Sequence, residues 1–310
     1  MNTQPNAMPN SPLDARQSSP ATLSSTRPFY WSLRRELWEY RSIYLAPLGI
    51  AGAILLAFPF ALLLHLSQIA RTLSSLDPAQ RDALAEPYDI AAGLIMAAAF
   101  IVSIFYSVDC LYGERRDRSI LFWKSLPVSD LTVVLAKATI PIFVLPLLAF
   151  VITVLTQSVM LLLSSVVLLA SGLSVAALWT QLLLPQNLAM LLYHLVTAHM
   201  LWYAPFYAWL LFISAWARRT PFLWAILPPL AIGVFEKVAF HTSHFADLLN
   251  NRFSGGPDAM SSMMGDFPFH PGMHITPGAF LAAPGLWIGL LFAAAFLVGA
   301  ARIRRYRDPV

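Results

Sequence analysis

The side chains best suited to bind a metal lie in one segment near the C-terminus. Residues 241–283 hold two histidine pairs, His241 with His244 and His270 with His274, and four methionines. Imidazole and thioether groups together would suit copper. The spacing of the pairs matches no closed metal site, so the alternative is a loop in which flexible methionines fill gaps. Metal binding at these histidines is therefore only a hypothesis.

A second candidate is the charged pair Glu236 and Lys237, near the end of a long apolar run. Ionisable residues at membrane depth are candidates for function, and Glu236 could line a substrate path. Neighbouring helix positions do not face each other, so no ion pair is expected between the two. The alternative is that Lys237 merely extends its amine to the membrane interface.

An enzyme would need a convergent nucleophile, acid or metal set within the apolar segments. His194 and His199 are five positions apart and so point in different directions around a helix. The sequence shows no such convergent set, and we predict no catalytic residue and no metal or cofactor bound by this chain.

The most unusual segment is 112–130, where five consecutive charged residues run from Glu114 to Arg118 in a chain that is only 12% charged. Glu114 and Arg118 are spaced for a stabilising helix pair. Pro127 should end that helix, and Ser129 can cap a new helix with Asp130 in its first turn. Two interpretations remain open: a rigid helix that contacts a partner, or a solvated loop whose apolar residues enter the membrane interface.

These segments are separated by long apolar runs. The chain has 310 residues, of which 58% are hydrophobic, and its mean hydropathy is +0.64. Runs near 20 residues with few charges are typical of membrane-spanning helices. We therefore predict an all-α polytopic membrane protein with six transmembrane helices, at Ile43–Leu66, Ile90–Leu111, Ala138–Leu161, Leu188–Ala217, Phe222–Phe240 and Pro284–Ala301.

The distribution of positive charge predicts the orientation of these helices. Sixteen of the 20 Lys and Arg residues precede the first span, lie between spans two and three or four and five, or follow the sixth. Basic residues accumulate on the cytoplasmic side of a membrane. Both termini should therefore be cytoplasmic, and 241–283 should form an outer loop.

The N-terminal residues divide into two parts. Residues 1–27 have the composition of a disordered cytoplasmic tail, and residues 306–310 should form a second cytoplasmic tail. Residues 28–42 carry apolar side chains at helical spacing beside tryptophans and arginines, which predicts an amphipathic helix lying in the membrane interface. The alternative is a basic anchor without a further role.

The run from Tyr112 to Asp130, YGERRDRSILFWKSLPVSD, strongly resembles the cytoplasmic loop between spans two and three in permease subunits of ABC-2 type ABC transporters. The resemblance covers residues 28–305, and it implies a transmembrane permease domain with 28–42 as an interface helix and 112–130 as a coupling helix. It also implies an exporter in the bacterial cytoplasmic membrane, in which a second permease copy pairs with this chain and the path for the cargo runs between them.

By this resemblance the coupling helix docks on a separate ATP-binding subunit, which would hold ATP and magnesium. No glycine in this chain is followed by lysine, so the chain lacks a phosphate-binding loop of the P-loop type. The resemblance assigns the polar contacts to Glu114, Arg115, Arg116, Asp117 and Arg118, and the apolar anchors to Phe122, Trp123 and Leu126. Membrane lipid is the other expected partner, and no nucleic acid is expected. The alternative function is a membrane scaffold or sensor that docks a soluble partner without transport.

Overall fold

The structure is a computed structural model, and it describes residues 26–67, 69, 78–124, 128–172, 174–181, 184–253 and 277–306. Within these ranges the fold is all-helical, and no β-strand occurs. Leu126, His270 and His274 lie outside the described residues. Trp123 lies in a described helix, but its side chain is not among the described parts.

Thirteen α-helices make up the described part of the chain. In order they are α1 (Thr26–Glu39), α2 (Ser42–Leu64), α3 (Pro78–Arg116), α4 (Ser119–Lys124), α5 (Asp130–Thr139), α6 (Leu145–Ala170), α7 (Val175–Gln181), α8 (Leu184–His194), α9 (Ala204–Trp216), α10 (Pro221–Phe240), α11 (His244–Phe253), α12 (Pro277–Ala282) and α13 (Pro284–Tyr306).

Within the described ranges, five helices are long and apolar enough to cross a membrane, and a sixth crossing results if one bent pair counts as a single span. The bent pair joins Pro185–Trp202 to α9 with a bend of 44°. The chain is thus a helical membrane protein with five to six candidate spans. The six predicted spans agree in position with these helices, although the bounds of several differ.

The largest difference concerns the third span, which is one continuous 41-residue helix from Asp130 to Ala170. A π-helical turn, Ile140–Val144, joins α5 to α6, and a second one, Leu195–Trp202, precedes the bend before α9. Ser129 starts the long helix as predicted, because its hydroxyl accepts a hydrogen bond from the backbone N–H of Thr132 at 3.1 Å. The span therefore begins eight residues before the predicted start, and it includes Lys137.

The helices pack around α3, α6 and α9, with α2 and α13 on the flanks. Ile95, Leu145, Tyr207 and Ala300 are fully buried at the centre of this core. In contrast, α10 lies at the periphery, where Ala225 is its one buried residue among those described. The inner helices thus form a rigid bundle, and α10 exposes apolar side chains on most of its surface.

Helix α11 occupies part of the predicted outer loop, and it docks on the bend near Trp202. The indole of Trp202 donates a hydrogen bond to the Arg252 carbonyl at 3.0 Å, and the Arg252 guanidinium lies 4.3 Å from the centre of the same ring. Arg252 also donates to the Gly285 carbonyl at 3.0 Å. These contacts hold the described part of the 241–283 segment against α13.

Five helices bring charged or C-terminal residues to the same end of the bundle. Contacts there join Glu36 of α1, Glu114 of α3, Lys137 of α5 and Arg304 of α13, and the C-terminus of α9 lies beside α3. We call this the charged end. The segments that the charge distribution assigned to one side of the membrane therefore do lie together, whereas the identity of that side stays a prediction.

Candidate functional site

The charged end contains a cluster of ion pairs in which most side chains are buried. Its members come from four helices: Arg35, Glu36, Glu114, Asp130, Lys137 and Arg304. Three cations and three carboxylates balance one another in this set, which we call the ion cluster. Charges removed from water are tolerated only when they are well paired, so the pairing decides whether this end of the protein is stable.

Glu114 lies at the centre of the ion cluster. Its carboxylate accepts a hydrogen bond from Arg35, and it lies 3.2 Å from the Lys137 amine and 3.2 Å from Arg304 Nη2. The side chain is only 2% exposed. One carboxylate of α3 therefore pairs with cations from α1, α5 and α13.

Glu36 is the second buried carboxylate, and it binds the same lysine. Lys137 Nζ donates to both carboxylate oxygens of Glu36, at 2.8 and 2.9 Å, and the Tyr106 hydroxyl donates to Oε2 at 2.8 Å. Arg35 Nη2 donates to Glu36 Oε1 at 2.7 Å. Burial acts to lower the pKa of Arg35, but the carboxylates of Glu36 and Glu114 outweigh it and raise that pKa. The guanidinium therefore stays charged.

A third contact closes the ion cluster at the start of α5. Arg304 Nη1 donates to Asp130 Oδ1 at 2.5 Å, and Asp130 follows directly on the capping residue Ser129. The last turn of α13 is thereby fixed to the first turn of the long third span. An ion pair between two helix ends constrains both their separation and their rotation.

Arg115 joins α3 to α9 on the other side of the charged end. Its Nη2 donates to the carbonyl of Ser214 in the last turn of α9 and to that of Ala217, the residue directly after the helix, at 2.8 and 2.6 Å. Carbonyls at a helix C-terminus lack partners within the helix. The Ser214 hydroxyl accepts hydrogen bonds from the backbone N–H groups of Leu111 and Tyr112. Arg115 therefore stabilises a helix terminus inside the protein.

The next three residues of the charged run point outward. Arg116 is exposed and pairs with Asp117 at 3.0 Å, and Arg118 adopts a left-handed backbone conformation with φ of 57°. The side chains of Leu121 and Phe122 on α4 are 58% and 61% exposed, whereas Ile120 is buried. Arg116, Asp117 and Arg118 with Leu121 and Phe122 thus form an outward surface, which we call the exposed turn.

The structure divides the sequence-predicted contact residues into two groups. Arg116, Asp117, Arg118 and Phe122 lie on the exposed turn, whereas Glu114 and Arg115 face inward and are at most 3% exposed. The predicted helix pair between Glu114 and Arg118 is wrong, because α3 ends at Arg116 and Glu114 binds the ion cluster instead. Direct contact with a partner stays a prediction for the exposed residues, and Glu114 and Arg115 form the base beneath them.

Glu236 has local hydrogen-bond partners. The Glu236 carboxylate accepts hydrogen bonds from the Thr242 hydroxyl and from the backbone N–H groups of His244 and Phe245, each at 2.8 Å, so it caps the start of α11. His241 lies in the tight turn before that helix, with φ of 53°. Among the described residues, no group of three His, Cys, Asp or Glu side chains is placed to hold a metal ion.

Five members of the ion cluster were not predicted as site residues from the sequence: Arg35, Glu36, Asp130, Lys137 and Arg304. Lys137 carried a usable signal, since a lysine inside a span is a candidate for function. That signal was lost because the span was predicted to begin at Ala138. The pairing of Glu36 with Lys137 joins positions 101 residues apart, and spacing within one element cannot reveal it.

Neither family models nor curated proteins nor solved structures give a match to this chain. The geometry of the charged end can nonetheless be interpreted physically. The exposed turn stands on a buried base, Glu114 and Arg115, that is fixed to four other helices.

Proposed function

We propose that this chain is the permease subunit of an ABC-2 type ATP-driven transporter. In this proposal the chain catalyses no reaction itself, and a separate ATP-binding subunit supplies the energy. In the same proposal the chain crosses the bacterial cytoplasmic membrane six times, the charged end and both termini are cytoplasmic, and two permease copies form an export path. Support comes from the resemblance of residues 112–130 and from the geometry of the charged end. The substrate is not part of the proposal.

The observation that carries the proposal is the connection between the exposed turn and the ion cluster. Glu114 lies two residues before Arg116, and it binds α1, α5 and α13 at once. A displacement of the exposed turn must therefore move these helices with it, or break buried ion pairs at a cost of several kcal/mol. A loop without this base would absorb the displacement.

Helix α1 has the chemistry of the interface helix in this proposal. Trp31 and Trp38 are exposed, and the Arg34 guanidinium lies 5.2 Å from the centre of each ring. Arginine beside tryptophan is typical of a helix in the headgroup layer. Through Glu36, a movement of the exposed turn would also reach this helix.

The exposed turn also has the composition of a docking surface. Its charged side chains would set the register of a soluble partner, and Phe122 with Leu121 would bury apolar area in it. Glu114 and Arg115 would not touch the partner, since they are buried.

The test is purification of the tagged full-length chain from its host membrane in mild detergent, with an assay of ATP hydrolysis in the eluate. We expect an ATP-hydrolysing subunit to co-purify, and the double variant Arg116→Glu with Arg118→Glu to reduce its yield at least tenfold. The matched control is Arg302→Glu with Arg305→Glu, which reverses two exposed charges at the same end but outside the exposed turn.

Three outcomes would contradict the proposal. The first is the absence of an ATPase under conditions that keep the complex intact. The second is an equal loss of the ATPase in the control variant. The third is a partner whose binding depends on the exposed turn but not on nucleotide, which would favour the scaffold or sensor function.

A further inference from the structure

A groove of about 490 Å³ lies on one side of α3, between the start of α2 and the start of α10. A polar part is formed by Tyr40, Ser42 and Asp109, and an apolar part by Val102, Phe105 and Phe222, with Tyr106 and Val108 along the floor. We call it the Asp109 groove. Its volume is within the range of sites for drug-sized ligands.

Asp109 is the unusual residue of this groove. It lies on a membrane-spanning helix, seven residues or about 10 Å before the helix end at Arg116. Its carboxylate is 44% exposed, and among the described residues it accepts no hydrogen bond. Its nearest cation in the described structure is Arg116 Nη1 at 3.9 Å, and that guanidinium makes a closer pair with Asp117.

The Asp109 carboxylate is only loosely paired, because its contact with Arg116 is 3.9 Å long. Ionisable groups within a membrane span are costly unless they are paired, so a carboxylate that opens into a groove attracts a positive ligand. The ring of Tyr40 meets that of Tyr106 edge to face, with centroids 4.9 Å apart, beside the carboxylate. Tyr106 is buried, so the ring that can add cation–π attraction for an ammonium group is the half-buried Tyr40.

The other end of the groove suits an apolar body. The rings of Phe105 and Phe222 are stacked with an interplanar angle of 8° and centroids 6.3 Å apart, and both side chains are exposed. Val102 lies two helical turns from Asp109 on the same face of α3. The groove therefore changes from acidic to apolar over about 10 Å along the helix.

We propose that the Asp109 groove binds an amphiphilic amine, with its ammonium group on Asp109 and its apolar body against the exposed rings of Phe105 and Phe222. An anionic amphiphile would be repelled by the carboxylate, and a neutral one would leave it with only its 3.9 Å contact to Arg116. The volume suits one drug-sized organic cation, and we commit to that occupant over a phospholipid. This inference is independent of the ATP-binding partner, because it concerns binding to this chain alone.

The test uses the purified full-length chain in phosphatidylcholine nanodiscs. The probe is dodecylamine carrying a photoreactive diazirine in its tail, and the labelled peptides are mapped by mass spectrometry. A dodecanol probe with the same diazirine is the neutral control. We expect the amine to label peptides around Phe105 and Phe222 about tenfold more than dodecanol does, since a hydrogen bond to a charged group is worth about one tenfold step or more.

Variants test the acidic part and the apolar part of the groove separately. Asp109→Asn should remove the preference for the amine, and Asp109→Glu should keep most of it. Phe222→Ala should reduce labelling by both probes, because it removes apolar wall. Asp247→Asn is the matched control, since it neutralises an exposed carboxylate on α11 that does not line the groove or contact Arg116, and it should change nothing.

The proposal is overturned if the amine and dodecanol label equally, or if Asp109→Asn labels as the unchanged chain does. It is also overturned if phosphatidylethanolamine in the nanodisc abolishes amine labelling, since the occupant would then be a membrane lipid. Loss of ATPase binding in other variants has no bearing on these results, so the two proposals fail separately.

Discussion

At the scale of single residues, Glu114 determines the charge balance of the charged end. It faces Arg35, Lys137 and Arg304, and two of these cations, Lys137 and Arg304, are nearly without exposure. The remaining carboxylates, Glu36 and Asp130, already have their own close contacts with the same cations. Loss of the Glu114 charge would therefore leave one buried positive charge uncompensated.

We accordingly predict that Glu114→Gln lowers the free energy of unfolding by about 3–5 kcal/mol, the usual cost of breaking a buried ion pair from one side. The measurement is the thermal midpoint of the purified protein in detergent. Glu39→Gln is the control, because Glu39 is half-exposed and lies 3.4 Å from Arg35 Nε. That variant should cost at most about 1 kcal/mol. Equal losses in both variants would show that Glu114 is not the centre of the ion cluster.

At the scale of helices, the long third span depends on its first turn. Ser129 caps α5, and Asp130 beside it holds Arg304 of α13. We predict that Ser129→Ala costs about 0.5–2 kcal/mol of stability, while Ser129→Asp restores it. Ser158→Ala is the matched control, since Ser158 is exposed in the same span and bonds only to the Val154 carbonyl within its own helix. The thermal midpoints of the three variants check this, and an equal effect at position 158 would contradict it.

A glycine decides how α11 docks on the bundle. A Cβ atom at Gly289 would collide with the Arg252 guanidinium, which is a flexible tip that can move away. We therefore predict that Gly289→Ala folds but releases Arg252 from Trp202, and that amide hydrogen exchange in α11 becomes about three- to tenfold faster. Gly52→Ala is the control, because no heavy atom lies within 4 Å of a Cβ placed there. Adding Gly289→Ala to Arg252→Ala should change the exchange no further, and an additional effect would contradict the mechanism.

The helices show which features a sequence can reveal. Apolar run length located the candidate spans between Ser42 and Tyr306, because burial in lipid requires about 20 apolar residues whatever the neighbours are. The local cap at Ser129 was also predictable, since its hydrogen bond joins residues only three positions apart. The ion cluster was not, because Lys137 finds Glu36 only once α1 packs against α5. Hydropathy alone placed Lys137 in a loop, since a charge lowers the score of the span that contains it.

At the scale of the whole molecule, the contacts at the charged end restrict the topology. Arg115 reaches the carbonyl of Ala217, and Arg304 reaches Glu114, so the ends of α3, α9 and α13 share one side. We predict that cysteines introduced by Asp117→Cys and Arg219→Cys are labelled by a membrane-impermeant maleimide only after the cells are opened. Ser174→Cys and Asp247→Cys should be labelled in intact cells.

These labels belong in a Cys110→Ser background, since Cys110 is the one cysteine of the chain and is buried. Labelling of positions 117 and 247 from the same side would contradict the six-span proposal. Labelling of positions 117 and 219 from opposite sides would show that the bent pair does not cross the membrane as one span.

The π-helical turn Ile140–Val144 lies between two buried faces of the third span, one on α5 and one on α6. The number of residues in this turn determines how the two faces are rotated relative to each other. Such a turn holds one residue more than an α-helix would, and one residue corresponds to about 100° of rotation about the helix axis. Above it, Ala149, Ile152 and Met160 face the core, and below it Lys137 faces Glu36. Removing one residue from this turn would leave both halves helical, yet their two buried faces could no longer point inward together. The length of this one turn therefore sets the angle about the helix axis between the two buried faces of the third span.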